Sequence, residues 1–299
     1  MLFTSSMVIS ETKTTKATYY LFHQILFGLL PGIVLIYFFS KFSLNFFRKL
    51  APLIFIFALT FLILVLVPTL AFKSGGAARW LEIGSFTLQP SEFVKLALIL
   101  YLAALFERKV KEKKIGTFKE GLVPFLIILL PIGVLILLQP DMGTLGIICL
   151  IALLMFFGAG GSFLHTFLLI FLGVSIVIGA SFVFPYQAER ILTFLNPEAD
   201  TLGRSYQINQ SLIALGSGGF FGLGFGKGIQ KWNYLPQPMG DTIFAIWGEE
   251  TGFIGSLIIV GLYLIICQRG FIISKRAPDK FSQFVAIGVT SWIEIQAFL

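Results

Sequence analysis

The chain has 299 residues, 57% of them hydrophobic and only 12% charged, a balance that excludes a soluble globular domain. Solid apolar runs, several longer than about 18 residues, stand in place of the alternation of a β-barrel and predict an all-α, polytopic bundle of membrane helices. The net charge of +7 has no soluble domain or basic face to carry it, which excludes nucleic-acid binding and fits cations held on cytoplasmic loops.

In chain order, the first ten residues are weakly apolar and lack a basic leader, so no cleavable signal peptide is expected. Apolar runs follow at about 20–40, 51–72, 91–106, 121–138, 143–159, 163–184, 242–267 and 283–299. The segments 41–50, 107–120 and 268–282 are basic and fall on one side if each run crosses once, which assigns them to the cytoplasm. The opposite side then holds 73–90, the short turn 139–141 and a long loop, 185–241. A single integral-membrane domain over 1–299 is predicted. Cys149 and Cys267 lie in apolar runs and read as core or lipid-facing thiols, and His23 and His165 are isolated.

The outer segments carry the polar chemistry. In the first, Arg79 stands beside Trp80, a pair suited to holding an anion against an aromatic plate, while a lone Trp also fits an interfacial belt. Pro90 and Ser91 mark a helix start, and Glu92 and Lys95 share one face of that helix at i, i+3. In the second, Gln139, Pro140 and Asp141 join two helices, with Asp141 placed to cap the next one. In the third, Ile191, Leu192, Phe194 and Leu195 lie close together, and Ile208, Leu212, Ile213 and Leu215 recur near helical spacing. Seven glycines between 216 and 228 then permit tight backbone paths. Asp241 follows Pro236, Gln237, Pro238, Met239 and Gly240 at the mouth of a membrane helix, where it caps the helix, acts as a base, or does both at once. Glu249 and Glu250 point about 100° apart, so at least one faces a polar interior. No nucleophile-elbow, zinc-protease, Walker or dinucleotide signature is present.

Four stretches together resemble the SEDS family (shape, elongation, division and sporulation), which includes RodA and FtsW. They are GGAARWLEIGSFTLQPSEFVKLALILYLA at 75–103, QPDMGT at 139–144, RILTFLNPEADTLGRSYQINQSLIALGSGGFFGLGFGKG at 190–228 and QKWNYLPQPMGDTIFAIWGEETGFIG at 230–255. The resemblance implies a peptidoglycan glycosyltransferase of the bacterial cytoplasmic membrane, its active site facing outward. Such an enzyme polymerises lipid II onto a nascent glycan strand beside a class B penicillin-binding protein and other divisome or elongasome membrane proteins. It assigns catalysis to Asp241, as the base for the acceptor 4-hydroxyl. The substrate-binding residues it implies are Arg79, Trp80, Glu92, Lys95, Gln139, Asp141, Arg190, Gln207, Gln210 and Ser211. Arg79, Lys95, Arg190 or a divalent cation would stabilise the departing diphosphate.

The resemblance departs in two places. Where the family shows Pro-Glu-x-His-Thr-Asp-Phe, this chain has Met239 and Gly240 before Asp241 and Thr242 after it. The family has about ten membrane helices, each long enough to cross a bilayer. By that pattern the rest of a first helix and a last helix are expected beyond this chain. A lipid II flippase and a non-catalytic division scaffold are the alternative readings.

Overall fold

The computed structural model describes residues 1, 5–6, 18–68, 71–74, 77–83, 86–183, 205–232, 235 and 240–299. Arg190, the apolar cluster at 191–195 and the proline-rich approach at 236–239 lie outside them. The helices are α1 (Tyr19–Ser40), α2 (Leu44–Leu64), α3 (Pro90–Lys111), α4 (Phe118–Leu138), α5 (Met142–Gly158), α6 (Phe163–Val183), α7 (Tyr206–Ser217), α8 (Ile243–Lys275) and α9 (Lys280–Phe298). By length and composition α1, α2, α4 and α8 can cross a membrane. The chain falls into two compact units, Met1–Phe42 with Gly179–Leu264, and Ser43–Ile178 with Ile265–Leu299.

The second unit is built around α3, which is buried along most of its length and packs against α2, α5 and α9. A helix largely covered by protein need not be apolar throughout, so α3 can carry charged side chains at both ends. Near its basic end the Phe106 ring meets Phe125, Phe156 and Phe284 at centroid separations of 6.0, 6.0 and 6.2 Å, joining α3, α4, α5 and α9. Gly288 on α9 leaves room for Ile99 and Met155, the close approach through which helices associate in lipid. At the same end Glu107 takes Arg48 of α2 at 3.1 Å and Lys111 at 2.8 Å.

The predicted run at 51–72 ends early. α2 stops at Leu64, two tight turns follow, and Pro68 prevents continuation. Within the bundle the segment expected as an outer loop, 73–90, carries local structure: a small antiparallel sheet of β1 (Ala71–Ser74), β2 (Ala77–Ile83) and β3 (Phe86–Leu88). Leu81 is buried while its neighbour Glu82 is exposed, the alternation of a half-covered strand, and Leu81 pairs with Ala71 and Leu88. At the other end of the unit α8 runs on to Lys275, so most of the basic 268–282 segment is helix rather than loop.

Asp279 caps α9 by accepting the Ser282 backbone N–H at 2.7 Å, and this bond holds its carboxyl below the usual carboxylate range. A depressed folded value means that the cap contributes above the unfolded carboxylate range, near about pH 4, and is lost as pH falls through the folded value. Asp279→Ala therefore loses about 1 kcal/mol at neutral pH. Thermal unfolding measured against pH checks this: variant and wild type converge on acidification.

The first unit holds α1, α7 and the first part of α8. No residue of α1 is buried, and a wide turn at Ile25–Leu29 accommodates Pro31, whose nitrogen has no proton to donate. Helix α7 appears where the spacing of Ile208, Leu212, Ile213 and Leu215 predicts one. Its Ala214 and Leu215 pack with Leu235, Ala245 and Ile246 in a small apolar core.

Helix α8 is broken at Gly252, whose φ of +68° and ψ of −165° are not helical. A break frees backbone groups that a membrane setting leaves without water. The glycine-rich loop takes up four of them. Leu223 N and Gly224 N donate to the carbonyls of Glu249 and Glu250, each at 3.0 Å. Phe253 N and Ile254 N donate to the carbonyls of Gly219 and Phe220, at 2.8 and 3.2 Å. Side chains brace both sides of the break: the Trp247 indole donates to Gly255 O at 3.1 Å, and Ser256 donates to Gly252 O at 3.0 Å.

Candidate active site

Asp241 stands just ahead of α8. The Thr242 carbonyl accepts the first helical bond, from Ile246 N at 3.2 Å, so Thr242 is the cap and Asp241 lies one residue before it. The reading of Asp241 as the cap is thereby corrected, for a positional reason. Its carboxylate is exposed and makes no hydrogen bond or ion pair with the described residues. An acid not spent on capping is available for proton transfer.

In the same unit, Gln207, Gln210 and Ser211 share one face of α7 at i, i+3 and i+4. The Ser211 hydroxyl donates to Gln207 O at 2.8 Å, which leaves the two amide side chains as the polar groups of that face.

Glu249 and Glu250, expected to place at least one acid in a polar interior, are both 1% exposed. Glu250 pairs with Lys231 at 2.8 Å with both side chains fully buried. Glu249 accepts the backbone N–H groups of Ile229 at 2.8 Å and Gln230 at 3.2 Å. Lys231 escapes the sequence reading because its partner lies 19 positions away along a glycine-rich path with no period.

In the other unit, the structure brings Arg79 to the 139–141 turn. The guanidinium donates to Pro140 O at 2.8 Å and lies 3.8 Å from the Asp141 carboxylate. Its Nε is buried with no partner among the described residues, while the side chain as a whole stays 34% exposed. Asp141 caps α5 as expected, accepting from Thr144 N at 3.4 Å and Thr144 Oγ1 at 2.8 Å. Gln139 donates to Leu62 O at 3.1 Å and so satisfies one of the carbonyls left open at the end of α2. The pairing of β1 with β2 slips between Phe72 and Lys73, so Arg79 falls at a bulge between Ala78 and Trp80, where the usual alternation of faces does not hold.

Helix α3 starts at Pro90, and the expected pair on its face forms, with Lys95 Nζ 2.8 Å from Glu92. Lys95 is 1% exposed, donates to Gln296 of α9 at 2.9 Å and lies 5.1 Å from the Trp292 ring centroid. A buried ammonium persists because a carboxylate, an amide oxygen and an aromatic face together compensate it. Gln296 and Trp292 were not singled out from sequence. The available signal was two polar-tipped side chains at i, i+4 inside an apolar run.

Among the described residues no three His, Cys, Asp or Glu side chains gather to hold a metal ion. The acids near the cations are already engaged, Asp141 with Thr144 and Arg79, and Glu92 with Lys95. No step is therefore derived through a divalent cation.

The family model of FtsW, RodA and SpoVE, described as cell cycle protein, matches residues 1–299. The stage V sporulation protein E of Bacillus subtilis is 37% identical over 299 residues, covering 100% of this chain and 81% of that protein. A probable peptidoglycan glycosyltransferase FtsW of Trichlorobacter lovleyi is 37% identical over 303 residues, covering 99% and 77%. Among solved structures, a chain of a peptidoglycan synthase complex that coordinates polymerization and crosslinking superposes with a TM-score of 0.77 at 24% identity, covering 99% of this chain and 82% of that one. The rod shape determining protein RodA of Thermus thermophilus superposes with a TM-score of 0.62 at 24% identity, covering 89% and 70%. The structural likeness shows a shared fold, and the helices with it an integral membrane protein. With the family match over its whole length, the chain belongs to the FtsW/RodA/SpoVE family of cell cycle proteins.

Proposed function

We propose that this protein is a peptidoglycan glycosyltransferase that polymerises lipid II on the outer face of the bacterial cytoplasmic membrane, in division or elongation. Family membership supports the activity, and the FtsW relatives carry it in their names. The observation that carries the site is Asp241, exposed and unspent one residue ahead of the cap of a broken helix.

In the proposed reaction Asp241 takes the proton of the acceptor GlcNAc 4-hydroxyl. That oxygen forms a bond to the donor anomeric carbon as the bond from this carbon to the diphosphate oxygen breaks. The centre inverts in one displacement, and undecaprenyl diphosphate leaves with the electron pair. One base suffices, because no covalent intermediate has to be resolved. The leaving group gains negative charge, for which Arg79, its guanidinium partly exposed, is the cation we assign first. Lys95 ranks below it, since two of its donors are held by Glu92 and Gln296. Gln207 and Gln210 are assigned to sugar hydroxyls, which amide side chains recognise as donor and acceptor.

Transport of the same lipid is the second reading, since transporters bind cargo at broken helices. The break at Gly252 speaks against it, because the glycine-rich loop already takes the backbone groups of Glu249, Glu250, Phe253 and Ile254.

The peptidoglycan synthase complex among the structural neighbours supports a class B penicillin-binding protein as partner. The test is the chain co-purified with such a partner, its transpeptidase blocked by a β-lactam, and supplied with labelled lipid II. Glycan ladders are the expected product. Transbilayer movement of lipid II in vesicles without ladders would overturn the reading in favour of transport.

A further inference from the structure

We propose that Lys231, Glu249 and Glu250 form a positioning clamp that sets the direction of the helix segment leading from Asp241. The clamp acts on that reaction without touching substrate. The proposal rests on the reading of Asp241 as the base.

Gly252 cuts α8, so the piece next to Asp241, 243–251, is only about two and a half turns long. A helix that short is marginal by itself and takes its orientation from whatever grips it. The grip from the apolar core is small: Ala214, Leu215, Leu235, Ala245 and Ile246. Backbone bonds from Leu223 N and Gly224 N hold its far end, and the side-chain grip is polar and directional. The ammonium of Lys231 bridges Glu250 and Gly226 O, each at 2.8 Å, while Glu249 holds the backbone at Ile229 and Gln230. Adjacent glutamates on two sides of one short helix thus fasten it to the 226–231 stretch, which leaves the segment little freedom to rotate about its axis.

Stability alone does not explain this choice. A fully buried ion pair gains little or nothing over well-packed apolar side chains of the same volume. Here one Glu250 oxygen is also buried without a partner among the described residues, a cost that an apolar pair would not carry. An ion pair with fixed hydrogen bonds does supply direction, and a base misplaced by about 1 Å can lose about a hundredfold in rate.

Two variants are tested in the complex with the penicillin-binding protein. Glu250→Gln keeps volume and an acceptor but removes the charge. The double variant Lys231→Met with Glu250→Leu fills the space with apolar groups and is expected to fold at least as well as wild type. Both are expected to lower kcat for lipid II polymerisation about 10- to 100-fold with KM unchanged. The double variant is expected to do so at an undiminished thermal midpoint. A folded double variant with wild-type kcat would overturn the clamp while leaving the glycosyltransferase reading intact, provided that Asp241→Asn is inactive in the same assay. Failure of wild type to make glycan would overturn both.

Discussion

Asp241→Asn lowers lipid II polymerisation by about 10²- to 10⁴-fold, the usual contribution of a positioned general base. The protein remains folded. Asp241 is exposed and makes no bond to the described residues, so its side chain supports little structure. The loss of a negative charge near the start of α8 costs at most about 0.3–1 kcal/mol through the helix dipole. The expected result is therefore an inactive protein with a thermal midpoint close to wild type. Glycan ladders from the co-purified complex and unfolding in detergent, run on the same preparation, separate the two effects. Ladders of normal yield from the variant would remove Asp241 from the mechanism. Loss of ladders together with a large fall in midpoint would instead make its role structural.

Gly222→Ala has the largest expected effect on stability. Gly222 has a φ of +79°, where an alanine costs about 1–2 kcal/mol. A Cβ there also runs into the Glu250 carbonyl and the Thr251 backbone. The loop must then withdraw, and the bonds from Leu223 N and Gly224 N to Glu249 O and Glu250 O are lost with it. A buried backbone group left unpaired costs about 1–3 kcal/mol, so the total reaches about 2–5 kcal/mol. Gly226→Ala is the control. Its φ of +78° is nearly the same, but nothing lies within 4 Å of an added Cβ. Only the conformational cost then applies, about 1–2 kcal/mol. Equal shifts in thermal midpoint for the two variants would disprove the packing of the loop against the break. A much larger shift at Gly222 would establish it.

Several features of the site were legible because they are local. The Glu92–Lys95 pair follows from helical spacing, and it forms. The cap at Asp141 follows from its place before an apolar run, and it is made. The sheet at 71–88 was missed because strands of three to seven residues carry little periodic signal and sit between two much stronger apolar runs. Arg79 and Trp80 are adjacent in β2, and the bulge that falls at Arg79 is a feature that no local spacing announces.

The sequence by itself determined the class of structure and the family. Long apolar runs leave a membrane helix as the only backbone that satisfies itself without water, and the motif set is distinctive in order and spacing. Only the tertiary structure decided which polar groups are spent and which are free. Asp241 proves to precede the cap rather than form it, Arg79 to turn onto Pro140 and Asp141, and Lys95 to reach α9. The break at Gly252, the loop that repairs it and the buried Lys231–Glu250 pair were equally out of reach. These partners lie between about 19 and 201 positions apart, and such contacts depend on how whole helices pack, which no local spacing encodes.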